Sequence, residues 1–467
     1  MRKPLQVLAV LGLAACVTTT PAHAATTPTW TTCVDAPLQE CATLQVPLDY
    51  RDPGGPRISL AVSRIRTARP DLRRGVLLLI PTGPGNPGLT RPTTLGLRLP
   101  RPVLDRYDIV GFDPRGTGRS TPASCGVTGP DAEAALFSPW PGPDGDISGN
   151  VAKAKRIADA CARNGGDLLR HISSRTEAMD IDRIRQALGE RTLSSWGVSY
   201  GTYPAAVHAT LFPDRTDRVV LDSSGDPDPS RVARGWAANF AVGARDRFPD
   251  FAAWAAARDA EYHLGATPDA VTRHYLAVAE TLDHNPRPDL SGALLRSIVF
   301  TSLQSDASFP LAATVLRGDP TPPLPVPSPE AFQRIVAVGA ATACNDVRWP
   351  RSVEAHAAAV ARDRTEYPLT GGMPANIWAC SFWPYPAGDP VVISSRGPEN
   401  VLLAQNRRDP NTPYSGALRM RAAFGHRARM VSVDSGGHGA YLANGNACGD
   451  AAVTAFLVDG THRDATC

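Results

Sequence analysis

The sequence predicts an α/β protein built on a mostly parallel, doubly wound sheet. Six short apolar runs, most of them ended by Gly or Pro, are typical of buried parallel strands. Helical stretches at 151–163 and 176–188 lie between them, and this alternation predicts a sheet covered by helices. The six runs are residues 75–80, 107–113, 193–198, 218–221, 400–405 and 429–434.

A change in residue pattern predicts a mainly helical insertion at 226–390 that caps the sheet. Ala-rich amphipathic segments dominate it, and a proline-rich extended connector at 319–329 interrupts them. Strand-like residues resume only at 391–393. We therefore predict one α/β domain in two parts, 25–225 and 391–467, with the cap over the carboxyl edge of the sheet. The amphipathic segments are residues 231–248, 251–264, 268–282 and 330–343.

The composition is that of a globular protein without a strong charge bias. The chain has 467 residues, of which 43% are hydrophobic, and this excludes a wholly disordered chain. A formal net charge of +3 argues against a protein built to bind nucleic acid. We expect a monomer with no transmembrane segment.

The first 24 residues have the pattern of a secretory signal peptide. A basic start precedes a short apolar run, and Ala-His-Ala ending at Ala24 is a small-residue cleavage site. The run is shorter than the roughly 20 apolar residues of a spanning helix. We favour cleavage after Ala24 and a secreted protein. The alternative is a lipobox at 13–16 (Leu-Ala-Ala-Cys), with Cys16 lipidated at the cell surface.

The cysteine count predicts disulfides. Nine cysteines are present, and eight remain in either case once Cys16 is set aside. An even number in an exported chain implies disulfides, and no C-x-x-C pair or histidine cluster indicates zinc. The sequence alone does not fix the connectivity, but the spacing falls into four local couples. The predicted pairs are Cys33–Cys41, Cys125–Cys161, Cys344–Cys380 and Cys448–Cys467.

Residues 197–201 (Gly-Val-Ser-Tyr-Gly) match the pattern G-x-S-x-G. This spacing puts a serine on a tight strand-to-helix turn, with its hydroxyl exposed at the sheet edge. A strand-like run precedes the motif and a helix-like segment, 203–211, follows it. We therefore predict that Ser199 is a nucleophile; the alternative is a serine in an ordinary tight turn.

A serine nucleophile needs a base and an orienting acid, in the chain order Ser, Asp or Glu, His on such a sheet. His438 follows the last strand-like run in a glycine-rich loop, and Asp409 follows the run before it. We predict these two as base and acid. The competitors are His462, near the carboxyl terminus, and Asp434, at the end of the His-bearing strand.

An oxyanion hole needs two backbone N–H donors aimed at the developing alkoxide. One donor is expected from Tyr200, the residue after the nucleophile. The other is expected from the Pro/Gly-rich loop 81–85, where Gly83 is the first choice and Thr82 the second. This chemistry needs no cofactor.

Together with residues 108–120 (Asp-Ile-Val-Gly-Phe-Asp-Pro-Arg-Gly-Thr-Gly-Arg-Ser), these segments resemble the secreted tripeptidyl and prolyl aminopeptidases of actinobacteria. The resemblance runs from about residue 30 to the carboxyl terminus. It implies an α/β-hydrolase fold and a serine exopeptidase acting on peptides with free amino termini, often with proline near the cleaved bond. The sequence departs from the family pattern at Thr82 and Pro87 in the early loop, and at 223–224.

An aminopeptidase must also recognise an ammonium group, which calls for carboxylates. Asp346, Asp226 and Asp228 are the candidates in or beside the cap. Trp349 and Trp383, with neighbouring aromatic residues, are candidates for an apolar proline pocket; the alternative for each is packing of cap against core.

Two other functions stay open at this point. A carboxylesterase or lipase would use the same triad on esters. An inactive hydrolase-fold binding protein is the second alternative.

Overall fold

The computed structural model describes residues 28–127, 138–228, 234–324 and 327–467. The predicted leader and Cys16 lie outside these ranges. Among the described residues, no helix is both long and apolar enough to cross a membrane.

The strands form one sheet, and the mostly parallel α/β fold is confirmed. The strands are β1 (Thr31–Cys33), β2 (Ala36–Pro47), β3 (Arg57–Ile65), β4 (Gly75–Ile80), β5 (Tyr107–Phe112), β6 (Leu193–Val198), β7 (Thr216–Asp222), β8 (Val401–Arg408), β9 (Ala428–Gly436) and β10 (Ala465–Thr466). Their order is β1-β2-β3-β5-β4-β6-β7-β8-β9-β10. The pairs from β5 to β10 are parallel, whereas β1, β2 and β3 add antiparallel strands at one edge.

The central strands are buried on both faces, which explains their continuous apolar runs. In β4, Val76, Leu78 and Ile80 join one hydrophobic core, whereas Leu77 and Leu79 join another. Successive side chains of a strand point to opposite faces, so the two cores lie on opposite sides of the sheet.

The helices fill the connections between the strands. They are α1 (Arg91–Thr94), α2 (Arg101–Leu104), α3 (Ser148–Asn164), α4 (Gly166–Arg170), α5 (Ser174–Ala187), α6 (Thr202–Leu211), α7 (Arg234–Ala256), α8 (Asp259–Tyr262), α9 (Pro268–His284), α10 (Gly292–Ser302), α11 (Phe309–Arg317), α12 (Pro329–Asp346), α13 (Val353–Glu366), α14 (Tyr414–Phe424) and α15 (Ala447–Asp459). Helices α7 to α13 all lie between β7 and β8 in the chain.

Two local predictions differ from the structure. Helix α7 continues through Pro249, where the sequence predicted two segments; Phe248 and Phe251 are both buried, and their packing holds the helix together across the proline. Residues 391–393 form no strand. Val391 and Ile393 instead pack as loop residues into the hydrophobic core on one face of the sheet.

The described residues contain four disulfides, and they join the couples expected from the spacing: Cys33–Cys41, Cys125–Cys161, Cys344–Cys380 and Cys448–Cys467.

A buried ion pair ties the loop after β5 to helix α5. The Arg115 guanidinium donates to both carboxylate oxygens of Asp180 at 2.8 and 2.7 Å, and to the carbonyls of Leu48 and His171 at 3.0 Å. The Tyr50 hydroxyl donates to the same carboxylate at 2.6 Å. Every charge in this cluster is therefore compensated.

We predict that Asp180→Asn destabilises the protein by about 3–5 kcal/mol, because it leaves a buried guanidinium without its counter-charge. The free energy of unfolding in urea measures this loss. The matched control is Asp71→Asn, which removes the exposed partner of Arg69 and should leave the unfolding midpoint in place. Equal midpoints for the two variants would contradict the prediction.

Candidate active site

Close backbone contacts that only glycine permits build the turn at Ser199. A Cβ atom on Gly197 would lie 2.3 Å from the carbonyl oxygen of Gly201, and one on Gly201 would lie 2.6 Å from that of Pro81. Ser199 itself has a φ of 58°, in the left-handed region. Such a strained strand-to-helix turn exposes the serine hydroxyl above the sheet.

His438 and Asp409 meet across the loops that follow β9 and β8. The His438 Nδ1 atom lies 3.0 Å from both oxygens of the Asp409 carboxylate. That carboxylate also accepts hydrogen bonds from the backbone N–H groups of Asn411 and Thr412, each at 2.9 Å. These bonds fix the orientation of both side chains.

The pKa values of this pair move in opposite directions. Burial alone would raise the pKa of Asp409, but the charge and hydrogen bond of His438 and the N–H of Thr412 outweigh it and lower that pKa. Burial alone would lower the pKa of His438, but the Asp409 carboxylate outweighs it and raises that pKa. The pair therefore favours an ionised aspartate that stabilises an imidazolium.

Ser199 and His438 line one cavity of about 480 Å³ at the carboxyl ends of the strands. No hydrogen bond joins the two side chains in this structure, and such bonds commonly tighten only when substrate is bound. Thr82 and Gly83 line the same cavity, which brings the loop after β4 to Ser199. Tyr200 follows Ser199, and its hydroxyl donates to Glu177 at 2.8 Å. Their roles as oxyanion donors stay predictions.

The competing residues have other partners. His462 Nε2 lies 2.8 Å from the carbonyl oxygen of Val401, and Asp434 forms an ion pair with Arg408 at 2.6 Å. Neither residue lines the cavity.

Of the three candidate ammonium-binding carboxylates, Asp346 and Asp226 are buried and Asp228 is half-buried, and none of them lines the cavity. Asp226 accepts two hydrogen bonds from Arg419, at 3.1 and 2.7 Å. Asp346 accepts hydrogen bonds from the backbone N–H and the hydroxyl of Ser174, at 2.9 and 2.5 Å. Ser174 in turn lies 3.2 Å from the Tyr200 hydroxyl, so a hydrogen-bonded chain links Asp346 to the nucleophile turn.

The two candidate tryptophans are buried in a cluster that also holds the disulfides Cys125–Cys161 and Cys344–Cys380. Trp349 donates to the carbonyl of Ala343 at 2.9 Å, and Trp383 donates to the Asn345 side chain at 2.8 Å. Neither of them lines the cavity beside Ser199, and these contacts favour a packing role.

Sequence reasoning missed two residues beneath the His438 loop. Asp222, at the end of β7, accepts from the backbone N–H groups of Ala440 and Tyr441 at 2.7 and 3.1 Å, and burial raises its pKa to about 7. Ser223 accepts from the N–H of Gly439 at 2.8 Å, and its side chain helps to lower the pKa of the Asp409 carboxylate. The departure from the family pattern at 223 was the signal that could have found it.

Together, the parallel sheet, the serine turn and the Asp–His pair define an α/β-hydrolase. The Abhydrolase_4 family profile, described as TAP-like protein, matches residues 359–467. The tripeptidyl aminopeptidase of Streptomyces coelicolor is 32% identical over 452 residues, covering 92% of this chain and 83% of that protein. The chain belongs to this tripeptidyl aminopeptidase family.

Two mycobacterial relatives are more distant. The serine protease Hip1 of Mycobacterium tuberculosis is 28% identical over 459 residues, covering 90% of this chain and 85% of that protein. Carboxylesterase B of the same species is 29% identical over 451 residues, covering 90% and 84%.

We predict that kcat/KM rises with pH, with a midpoint above the ordinary histidine value of 6.5, because only neutral His438 accepts a proton and Asp409 raises its pKa. In Asp409→Asn the midpoint should fall and kcat should drop by about 10⁴-fold. Initial rates on a chromogenic ester between pH 5 and 9 measure both effects. Asp434→Asn is the control and should keep the parent profile; an unchanged midpoint in Asp409→Asn would refute this assignment.

We predict that Ser223→Gly lowers kcat by about tenfold with little loss of stability. The hydroxyl that holds Asp409 and Gly439 is lost, at roughly 1.5 kcal/mol for a hydrogen bond to a charged group. Ser223 has a φ of 55°, which glycine adopts without strain. Relief of that strain offsets part of the lost hydrogen bonding, so thermal melting should show a Tm close to that of the parent protein while the pH midpoint shifts. A lower Tm with unchanged kcat would show a merely structural role.

Proposed function

We propose that the protein is an exported serine exopeptidase that releases short peptides, either tripeptides or proline-containing pieces, from free amino termini. The observation that carries the proposal is the His438–Asp409 pair facing the same cavity as Ser199. Membership of a family with a named tripeptidyl aminopeptidase supports the choice of peptides as substrates.

The proposed reaction is acyl transfer through a covalent intermediate. Ser199 Oγ attacks the scissile carbonyl while His438 removes its proton, and the Tyr200 and Gly83 N–H groups bind the oxyanion. His438 then protonates the leaving amine as the C–N bond breaks. Water, deprotonated by His438, hydrolyses the acyl-enzyme and restores the serine. Asp409 stays ionised and orients the imidazole throughout.

The helices between β7 and β8 are proposed to act as a cap, residues 226–390, that restricts access to short or unfolded peptides. Gln304, in the connection between α10 and α11, lines the cavity. Its carbonyl oxygen accepts a hydrogen bond from the His438 backbone N–H at 2.9 Å. This contact supports a cap that reaches the reacting groups.

Of the candidate carboxylates, Asp346 is the one we favour for the substrate ammonium; because it is buried and does not line the cavity, this role requires a movement that exposes it when substrate binds. Asp226 is already neutralised by Arg419, whereas Asp346 has no cationic partner among the described residues. Burial raises the pKa of Asp346 to about 6, and an ammonium beside it would favour its ionised form. Its link through Ser174 to the Tyr200 hydroxyl supports a place near the nucleophile.

Export is supported by the four disulfides, which persist in oxidising compartments. We propose secretion after cleavage at Ala24, with a lipid anchor at Cys16 as the alternative. Mass spectrometry of the mature amino terminus separates the two.

A carboxylesterase activity is the second candidate, favoured by the relative named carboxylesterase B. The triad alone serves both reactions, so only substrate recognition separates them. A peptidase of the proposed kind requires a free amine, whereas an esterase does not.

We predict hydrolysis of tripeptidyl and prolyl nitroanilides with free amines, and at least about tenfold slower hydrolysis of their N-acetylated forms, since one lost ion pair is worth roughly that factor. Release of nitroaniline measures both rates. Ser199→Ala and His438→Gln should abolish activity, while His462→Gln, the matched histidine control, should retain it. Turnover of 4-nitrophenyl esters with none of the free-amine nitroanilides would favour the esterase.

A further inference from the structure

The catalytic cavity carries two arginines that the proposed mechanism does not use. Arg91 lies in α1 and Arg98 lies in the short helical turn that follows it, and both side chains line the cavity beside Ser199. Arg91 is half-buried, whereas Arg98 is exposed at the rim.

The Arg91 guanidinium has no protein partner. It makes no hydrogen bond or ion pair with any residue that the structure describes, and its Nε atom is shut off from solvent with no acceptor. Burial lowers the pKa of Arg91, and no carboxylate offsets that effect. A desolvated cation without a counter-charge destabilises the fold. The position of Arg91 in the cavity beside Ser199 therefore indicates a ligand of opposite charge.

Arg98 is held in position by the loop after His438. Its guanidinium donates to the carbonyl oxygen of Leu442, which has a φ of 57°. The Leu442 N–H in turn donates to the Asp450 carboxylate at 2.8 Å. Arg98 also has no ion pair within the described ranges, so its positive charge remains available at the cavity rim.

The carboxylate of Asp222 does not neutralise these arginines. Within the described chain, Asp222 is the one acidic residue that lines the cavity. The other lining residues are neutral or basic. The Asp222 oxygens accept the N–H groups of Ala440, Tyr441 and Trp196. Because these donors occupy Asp222, the unpaired charge on the cavity wall is positive.

We propose that Arg91 and Arg98 form a subsite for a carboxylate of the peptide substrate, so that the enzyme prefers short acidic peptides or short peptides with a free carboxyl terminus. Guanidinium groups bind carboxylates through paired, charge-assisted hydrogen bonds. The identity of the substrate as a peptide rests on the proposed function, whereas the preference for an anion does not.

The first experiment compares substrates on the unmodified enzyme. Three- to five-residue peptides are assayed as free acids and as carboxamides, and in a second set of carboxamides with an internal Glu replaced by Gln. In the set whose carboxylate binds to the subsite, we expect kcat/KM to be about tenfold higher for the charged peptide than for its neutral counterpart. A preference confined to the first set assigns the terminal carboxylate, and one confined to the second set assigns the acidic side chain. Raising the salt concentration should shrink the preference.

A second pair of substrates separates this proposal from the proposed function. The 4-nitrophenyl monoester of glutaric acid carries a carboxylate, and 4-nitrophenyl pentanoate is its neutral counterpart of equal chain length. If peptides are not hydrolysed but the anionic ester is preferred, the subsite stands and the peptidase assignment falls. Equal rates within every charged and neutral pair overturn the subsite.

Variants then test whether Arg91 and Arg98 cause the preference for the charged substrate. Arg91→Gln and Arg98→Gln should raise KM for the charged substrate and change the KM of the neutral substrate little. The kcat/KM values of the two members of a pair should then agree within about twofold. Arg106→Gln is the matched control, because the Arg106 guanidinium donates to the carbonyl of Pro102 and the residue does not line the cavity. Fluorophosphonate labelling of Ser199 checks that each variant is folded. A preference that persists in the double Arg91→Gln, Arg98→Gln variant overturns the assignment.

Discussion

The site depends on one close contact, between the backbone of the Ser199 turn and the loop after β4. Strands β4 and β6 are neighbours in the sheet, with Ile80 opposite Gly197. Gly201 then approaches the carbonyl of Pro81 so closely that no side chain fits between them. Because the two loops touch there, Ser199, Thr82 and Gly83 line one cavity. A bulkier residue at position 201 would separate parts of the site that lie far apart in the sequence.

From this contact outward, the site is organised by charge compensation. Asp409 and His438 compensate each other, Asp226 is compensated by Arg419, and Asp222 is occupied by backbone donors. Asp346 and Arg91 differ, since neither has a partner of opposite charge among the described residues. A zwitterionic short peptide carries the two complementary charges. The proposed exopeptidase activity and the proposed carboxylate subsite therefore describe one substrate held through both of its ends.

The sequence predicts most of this architecture because its signals are local. A buried parallel strand followed by a tight turn is visible in a few residues, which is why the central strands and the loops bearing Ser199, Asp409 and His438 could be located. Whether a polar atom stays unpaired depends instead on contacts between distant segments. For this reason the sequence around Arg91 gave no sign that its guanidinium is unpaired. The prediction of two helices at Pro249 was wrong because the packing of α7 is likewise a tertiary property.

Backbone strain connects the predicted and the unpredicted parts of the site. Ser199, Ser223 and Leu442 are non-glycine residues with positive φ, and each lies in or directly beneath the cavity. Each one positions a polar group: the Ser199 hydroxyl, the Ser223 hydroxyl that accepts from Gly439, and the Leu442 carbonyl that accepts from Arg98. Strain of this kind persists where the surrounding structure fixes it and function uses it. Leu442 has no part in the proposed acyl transfer; its N–H is fixed by Asp450 and its carbonyl by Arg98, so its conformation belongs to the contacts that position Arg98 at the cavity rim.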